Sequence, residues 1–358
     1  MSNWKHNLKG KLADSWARLL YSTPLWRLTN ALAPRRMVVL FGHCVDDTNY
    51  DGLLAPDMCM SQAKLKSVLE SFSKRGYQFT TISKGMDALK RGTPGKSLVN
   101  LSMDDGYLDN HDTLLPILMD QGLTASVFLE TRVLDERRVN WTHHLHWLFD
   151  RLGKAEVVKR YIEREGAQSA DSTAIQQAFD IGTKAYYHVK RVLKYDVNPH
   201  RRNEHLGAIF LEAGGDEEVL ADRLYLTWDK AAALDEAGIE LGAHTLTHAI
   251  LSKLTPAEAL AEVDGSARAM EARLGHSPEV FAYPFGRRWD YNEDSMNAVS
   301  AAGCRYALNT HKGCNTKDSL PLELRRVPIE QSTPLYMLHA EACGGFLLLE
   351  KLGIKLSE

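Results

Sequence analysis

From Met37 onward the chain alternates short, nearly unbroken apolar runs with stretches whose apolar residues recur every three or four positions. "MVVLFG" (37–42), "YQFTTI" (77–82), "SLVNLSM" (97–103) and "TASVFL" (124–129) read as buried strands, with helices at 62–75 and 111–121 between them. Gly76 and Gly122 stand where each helix gives way to the next strand, the usual place for a C-terminal cap. From Trp141 to about Ala221 this rhythm stops. "WTHHLHWLFDRL", "AEVVKRYIERE" and "KAYYHVKRVLK" are aromatic, charged and helical in pattern, which predicts an inserted helical subdomain. Alternation resumes with a helix at 228–237, the strand "IELGAH" (239–244), and a helix opened by Thr255-Pro256-Ala257-Glu258. Those four residues supply an N-cap, a proline at the first position and a glutamate at the third. Strands then follow in "VFAYPFG", "YALNT" and "RRVPIE". Such alternation implies a parallel sheet flanked by helices, as an open α/β fold or a barrel.

Residues 1–36 differ from the remainder, 37–358, which carries the insertion at about 141–221. Leu8, Leu12, Trp16, Leu19 and Leu20 recur at helical spacing, with Lys9, Lys11, Asp14, Ser15 and Arg18 on the other face. The first forty residues hold seven Lys or Arg against Asp14 alone. This basic amphipathic helix either packs on the domain or lies on an anionic membrane with Trp4, Trp16 and Trp26 at headgroup depth. Its charges interrupt any continuous apolar span, so the expectation is a cytoplasmic protein, peripheral on the inner membrane face if it touches a bilayer.

The 358 residues, 44% hydrophobic and 25% charged, fit a soluble globular protein, and a net charge of −3 without a basic tract does not fit a nucleic-acid binder. Five cysteines without a CxxC pair predict reduced thiols, neither a disulfide framework nor a cysteine zinc site.

Candidate chemistry falls at strand ends, where α/β enzymes place their sites. Asp104-Asp105-Gly106 closes the run "SLVNLSM"; adjacent strand residues face opposite sides, so both carboxylates reach one site only if the chain turns there, as Gly106 permits. "GAHTLTH" places His244 and His248 four apart, and imidazoles at that spacing on a helical turn share one face. No glutamate lies between them, which separates the pair from the zincin motif. "FAYPFG" adds Pro284 and Gly286, a pairing that frees local N–H groups to line a pocket.

Taken together, DDG, HxxxH and aromatic-Pro-aromatic-Gly at successive strand ends resemble the polysaccharide deacetylase family of chitin, peptidoglycan and acetylxylan deacetylases. The resemblance covers roughly 37–135 and 222–330. It extends to the early "GH" at His43, "LTWDKAAALDEAGIELGAHTLTH" (226–248) and "LRRVPI" (324–329). It implies a distorted (β/α) barrel with fewer than eight strands. It also implies a divalent cofactor, Zn2+ foremost, held by Asp105, His244 and His248, with Asp104 as general base. Tyr283, Pro284, Phe285 and Gly286 would line the acetyl pocket, the Phe285 N–H would serve the oxyanion, and Arg326 would hold the site together. The implied reaction is removal of an N-acetyl group from an amino sugar in a glycan or lipid-linked precursor. Alternatives on the same residues are a sugar O-acetyl esterase, a deformylase, or a non-catalytic glycan-binding module.

Two positions depart from the family pattern. An arginine that orients the catalytic aspartate in many members is replaced by Ala282, which leaves Arg326 as the candidate cation. A late histidine that acts as general acid has only His339 as a poor match, with His43 and the metal's own water as rivals. His143, His144 and His146 read as members of an amphipathic helix, and Trp289 is open between sugar stacking and packing.

Overall fold

The computed structural model describes residues 2–55, 58–93, 95, 97–182 and 184–354, and for residues 2–8 the backbone only. The expected placements of the Trp4, Lys5 and Leu8 side chains lie outside it. The chain divides into two compact units. One comprises Met1–Asp47, Asp57–Thr131 and Leu226–Glu358; the other comprises Thr48–Pro56 and Arg132–Tyr225. The insertion therefore begins earlier and ends later than its pattern suggested, and it takes in a short early segment. The basic N-terminal segment belongs to the first unit.

The first unit is built on a parallel sheet. Its strands are β1 (Met37–Gly42), β4 (Gln78–Phe79), β5 (Leu98–Met103), β6 (Ser126–Leu129), β7 (Glu240–Ala243), β8 (Val280–Ala282), β9 (Tyr306–Leu308) and β10 (Val327–Pro328). Seven of them run in the order β10-β1-β5-β6-β7-β8-β9 and curl into a half-barrel, the distorted (β/α) barrel the motifs implied. The eighth, β4, pairs with Leu98 and Val99 at the lower half of β5, leaving the upper half to β6. Every residue of β1 and β5 is buried, which is why these strands read as continuous apolar runs and not as alternating ones.

One expected strand is cut short. "YQFTTI" contributes only the two residues of β4, and Ile82 opens a helix, Ile82–Lys90, whose Thr81 cap accepts from Lys84 N–H. The β-branched pair before Ile82 hid a helical stripe: Ile82, Met86 and Leu89 face Met37, Val39, Phe128, Val280 and Leu308 in one buried cluster. Gly85 lets that helix approach, since a Cβ there would lie 2.4 Å from Met37 Sδ. Removing Leu89 or Met86 side chains from such a cluster costs about 2–5 kcal/mol.

The expectation of reduced thiols is corrected as well. Cys44 in β2 (Cys44–Val45) and Cys59 in β3 (Cys59–Met60) form a disulfide across a small parallel pair, while Cys304, Cys314 and Cys343 are buried thiols. Spacing of fifteen residues carried no signal; strand pairing at Cys44–Cys59 brings the Cα atoms to 4.6 Å.

The second unit is helical, as its pattern predicted. Its helices include Trp141–Leu152, Lys154–Glu165, Ala170–Asp180, Ala185–Tyr195, Pro199–Glu212 and Glu217–Leu224. Asn140, Ser169, Asn198 and Asp216 cap four of them through side-chain oxygens. His143 bonds Tyr225 Oη at 2.6 Å and His144 bonds Glu217 Oε1 at 2.8 Å, so both serve packing within this unit.

Candidate active site

Asp104 follows β5 and keeps the ladder going, its N–H donating to Gly42 O at 3.0 Å. The chain then winds left-handed at Asp105 (φ 75) and again at Gly106 (φ 76). The turn thus begins one residue before the glycine expected to permit it, and it brings both carboxyls to one place. Left-handed backbone costs a non-glycine residue about 1–2 kcal/mol. Among the described residues eight non-glycines have positive φ, and four of them (Asp105, Thr245, His248 and Phe285) sit in the three site loops, so strain is concentrated where the side chains must converge.

His244 and His248 do converge with Asp105, but not on a helical turn. They follow β7 in an irregular loop with Thr245 at φ 67 and His248 at φ 55. Glu262, on the helix Pro256–Leu274, fixes this loop: its carboxylate accepts from Thr247 N–H at 3.0 Å and Thr247 Oγ1 at 2.7 Å. Nothing in the sequence marked Glu262, because its helix is ordinary in pattern and its partner lies across a fold contact.

Asp105, His244 and His248 are buried, and one ligand atom from each lies within 4.8 Å of the others. Asp105 Oδ1 is 3.3 Å from His244 Nε2 and 3.4 Å from His248 Nε2, yet it accepts no hydrogen bond among the described residues. A buried carboxylate oxygen left this way costs about 1–3 kcal/mol unless something positive occupies the space. His244 Nδ1 lies 2.7 Å from Ala282 O, and since a carbonyl only accepts, Nδ1 carries the proton and Nε2 presents a lone pair toward Asp105. Two imidazole nitrogens and one carboxylate oxygen form a donor set suited to Zn2+, so these residues fit the implied ion. Burial opposes ionisation of Asp105, but the two imidazoles outweigh it and hold the carboxyl well below its usual range. His244 is held above its usual value because Asp105 and Asp104 outweigh its burial. The cluster therefore favours a positive charge at its centre.

Beside this cluster, Asp104 Oδ1 accepts from Arg326 Nη1 at 2.6 Å. Arg326 is fully buried, its Nε donating to Asn309 O at 2.9 Å and its guanidinium lying 4.3 Å over the Phe41 ring. Burial would raise the Asp104 pKa; Arg326 and His244 outweigh it and keep the carboxyl ionised. Arg326, the candidate cation once Ala282 stood in place of an arginine, is thus the residue that pairs with Asp104.

In the third loop, Phe285 (φ 62) sets its ring edge-on to His248 at 4.7 Å, and Gly286 (φ 62) closes against Thr310, where a Cβ would meet Thr310 N at 3.0 Å. Pro284 O accepts from Gly286 N–H at 2.8 Å, a tight three-residue turn with left-handed Phe285 at its centre. Tyr283 is turned into the core instead, its ring stacked on Tyr291 at 4.3 Å and its hydroxyl donating to Leu322 O.

His339 lies away from all of this. It sits on the helix Leu335–Ala342, stacked on Phe72 at 4.3 Å and bonded to Ser71 Oγ at 2.7 Å, and burial with Arg75 nearby pushes it down to about 3. His43 directly follows β1, half-buried, and its charge favours the ionised forms of both Asp104 and Asp105.

The chain is similar to known proteins in sequence and in fold. A "Putative polysaccharide deacetylase YxkH" of Bacillus subtilis (strain 168) is 27% identical over 105 residues, a match that takes in 29% of this chain and 37% of that one. Among solved structures, a Streptococcus pyogenes deacetylase, PplD, in complex with acetate superposes with a TM-score of 0.56 at 15% identity, covering 87% of this chain and 99% of the other. A de-N-acetylase from Aggregatibacter actinomycetemcomitans gives 0.54 at 15% identity over 85% and 98%. At these identities the structures speak for the fold alone. The polysaccharide deacetylase family model matches residues 91–307, more than half the chain and including Asp104, Asp105, His244, His248 and the Tyr283–Gly286 loop, so the chain belongs to the polysaccharide deacetylase family.

Proposed function

We propose that this protein is a divalent-metal-dependent hydrolase that removes the acetyl group from an N-acetylated sugar in a glycan or lipid-linked glycan precursor. The carrying observation is the buried Asp105, His244 and His248 cluster, with its donor-less carboxylate oxygen, beside an Asp104 held ionised by Arg326. A bound divalent ion, for which Zn2+ suits the donor set, would polarise the acetyl carbonyl and lower the pKa of the attacking water to about 7.

The chain's own groups supply the rest. Asp104 takes the proton from the attacking water, a role worth about 10²- to 10⁴-fold. Arg326 fixes the carboxyl it bonds and keeps it from resting protonated. The Phe285 N–H stabilises the negative oxygen of the tetrahedral adduct, Phe285's ring holding that loop against His248. As the C–N bond breaks, His43 protonates the departing sugar nitrogen, giving acetate and a free amine. His43 is assigned this role over His339 because it stands beside Asp104 and Asp105, while His339 is fixed against Phe72.

The Cys44–Cys59 bond favours an oxidising compartment over the cytoplasm anticipated from sequence. The test is acetate release from N-acetyl, O-acetyl and N-formyl sugars by metal-loaded protein, with metal content measured alongside. N-acetyl turnover that falls at least a hundredfold in Asp104→Asn supports the reading. Turnover of the O-acetyl or N-formyl sugar alone, or an Asp104→Asn variant as active as wild type, overturns it.

A further inference from the structure

The two N-terminal helices, α1 (Ser2–Ser22) and α2 (Leu25–Leu32), carry two apolar faces, and the fold covers one. On the inner face Ala13, Ala17 and Leu20 are buried against Ala340, Cys343 and Phe346, with Trp16 and Trp26 packed at the edge. Trp16 Nε1 donates to Gly345 O at 3.3 Å. Two of the three tryptophans that the sequence offered for headgroup depth, Trp16 and Trp26, are thus engaged with the domain. The remaining leucines point outward: Leu12, Leu19, Leu28 and Leu32 are 52%, 45%, 54% and 67% exposed. Leu12 and Leu19 are two turns apart on α1, and Leu28 and Leu32 one turn apart on α2, so each pair forms a stripe. One exposed leucine needs no explanation, whereas four on two consecutive helices ask for a partner.

Charge selects among partners. Lys9, Lys11 and Arg27 are exposed on the same helices. The first forty residues hold seven Lys or Arg against one Asp, leaving the rest of the chain with 36 Lys or Arg against 45 Asp or Glu. A second copy of the chain would bring this cationic segment against itself. An anionic lipid surface complements it, and it would repel the acidic remainder, which sets the orientation.

We propose that the outer face of α1 and α2 docks the protein on an anionic bilayer, Leu12, Leu19, Leu28 and Leu32 entering the headgroup boundary and Lys9, Lys11 and Arg27 meeting lipid phosphates. α2 ends beside the start of β1, where Arg36 ties Asn30 Oδ1, Pro34 O and Ala342 O together. That is the end of the sheet opposite Asp104, so docking through α2 leaves the catalytic end uncovered. The inference is independent of the hydrolase reading, because its readout is vesicle binding.

The test is co-sedimentation of the full chain with phosphatidylcholine vesicles and with mixed phosphatidylcholine–phosphatidylglycerol vesicles, between roughly 0.05 M and 0.5 M salt. Binding is expected to the mixed vesicles, weakening with salt. Leu12→Ser/Leu19→Ser and Leu28→Ser/Leu32→Ser should each lower it at least tenfold with an unchanged melting temperature, and Lys9→Gln/Lys11→Gln/Arg27→Gln should remove most of the salt dependence. The proposal is overturned by wild type that ignores mixed vesicles, by equal binding to neutral ones, or by leucine variants that bind as wild type. Light scattering that shows a dimer broken by the leucine substitutions would assign the face to a second copy instead.

Discussion

The two ends of β7 each hold an acid in a polar cluster, and they are built in opposite ways. At the start of the strand, Glu240 Oε1 accepts from Ser83 N–H at 3.0 Å, while Oε2 accepts from Ile82 N–H at 2.8 Å and Ser126 Oγ at 2.6 Å. A carboxylate at the N-terminus of Ile82–Lys90 satisfies orphan amides and complements the helix dipole. Just past the other end, His244 joins Asp105, whose Oδ1 has no hydrogen-bond donor among the described residues. Satisfied donors make the first cluster a joint between helix and sheet. An unsatisfied oxygen among strained loops gives the second the donor set that the proposed cation would occupy.

The largest expected effect lies at the receptor end. Asp105→Ala should abolish metal binding and lower N-acetyl turnover by about three orders of magnitude or more, while the metal-free protein keeps its melting temperature or gains slightly. A metal-free variant markedly less stable than metal-free wild type would make Asp105 structural and erase the contrast.

At the joint end the signs reverse. Glu240→Ala strands two helix amides and the Ser126 hydroxyl, and should cost about 2–4 kcal/mol in chemical denaturation. Turnover per folded molecule should stay within about twofold, since Glu240 bonds groups at the opposite end of β7 from the Asp105 cluster.

A third histidine sharpens the comparison through pH. His339 titrates near 6.5 when unfolded and near about 3 when folded, because burial and then Arg75 disfavour its charge. Below pH 6.5 the unfolded chain binds this proton and the folded chain does not, so stability falls as pH drops and the loss ends near pH 3. His339→Phe should remove a few kcal/mol, roughly, of that acid sensitivity and leave turnover unchanged. A lost proton-donating limb in its rate profile would return the general-acid role to His339.

The smallest effect concerns Trp289, 58% exposed on the loop beyond Gly286, its backbone carbonyl accepting from Ser252 Oγ at 2.6 Å. Trp289→Ala should raise KM for an oligosaccharide a few-fold, about 1 kcal/mol of stacking, and leave stability within about 0.5 kcal/mol. Equal change on a small acetyl ester would rule out a sugar platform.

Much of this was legible in the residues alone. Buried parallel strands announce themselves as apolar runs, the Thr255 capping box appeared where its four residues predicted it, and carboxylate and imidazole chemistry singled out Asp104, Asp105, His244 and His248. What failed were cases where local pattern and long-range contact disagree. The run at 77–82 looked like a full strand, but only Gln78 and Phe79 pair and Ile82 already opens a helix. Cys44 and Cys59 looked unrelated because only strand pairing joins them.

The sequence by itself determined which atoms were available: hard and borderline ligands at strand ends, a basic helix at the start, and the order of strands and helices, all governed by local periodicity and residue chemistry. Tertiary structure decided which of them meet. The left-handed turns at Asp105, Thr245, His248 and Phe285, the reach of Arg326 to Asp104, and the packing of Trp16 and Trp26 against the domain with Leu12 and Leu19 left outside depend on packing between distant segments. No local rule encodes those contacts, because their free energy comes from neighbours hundreds of residues away.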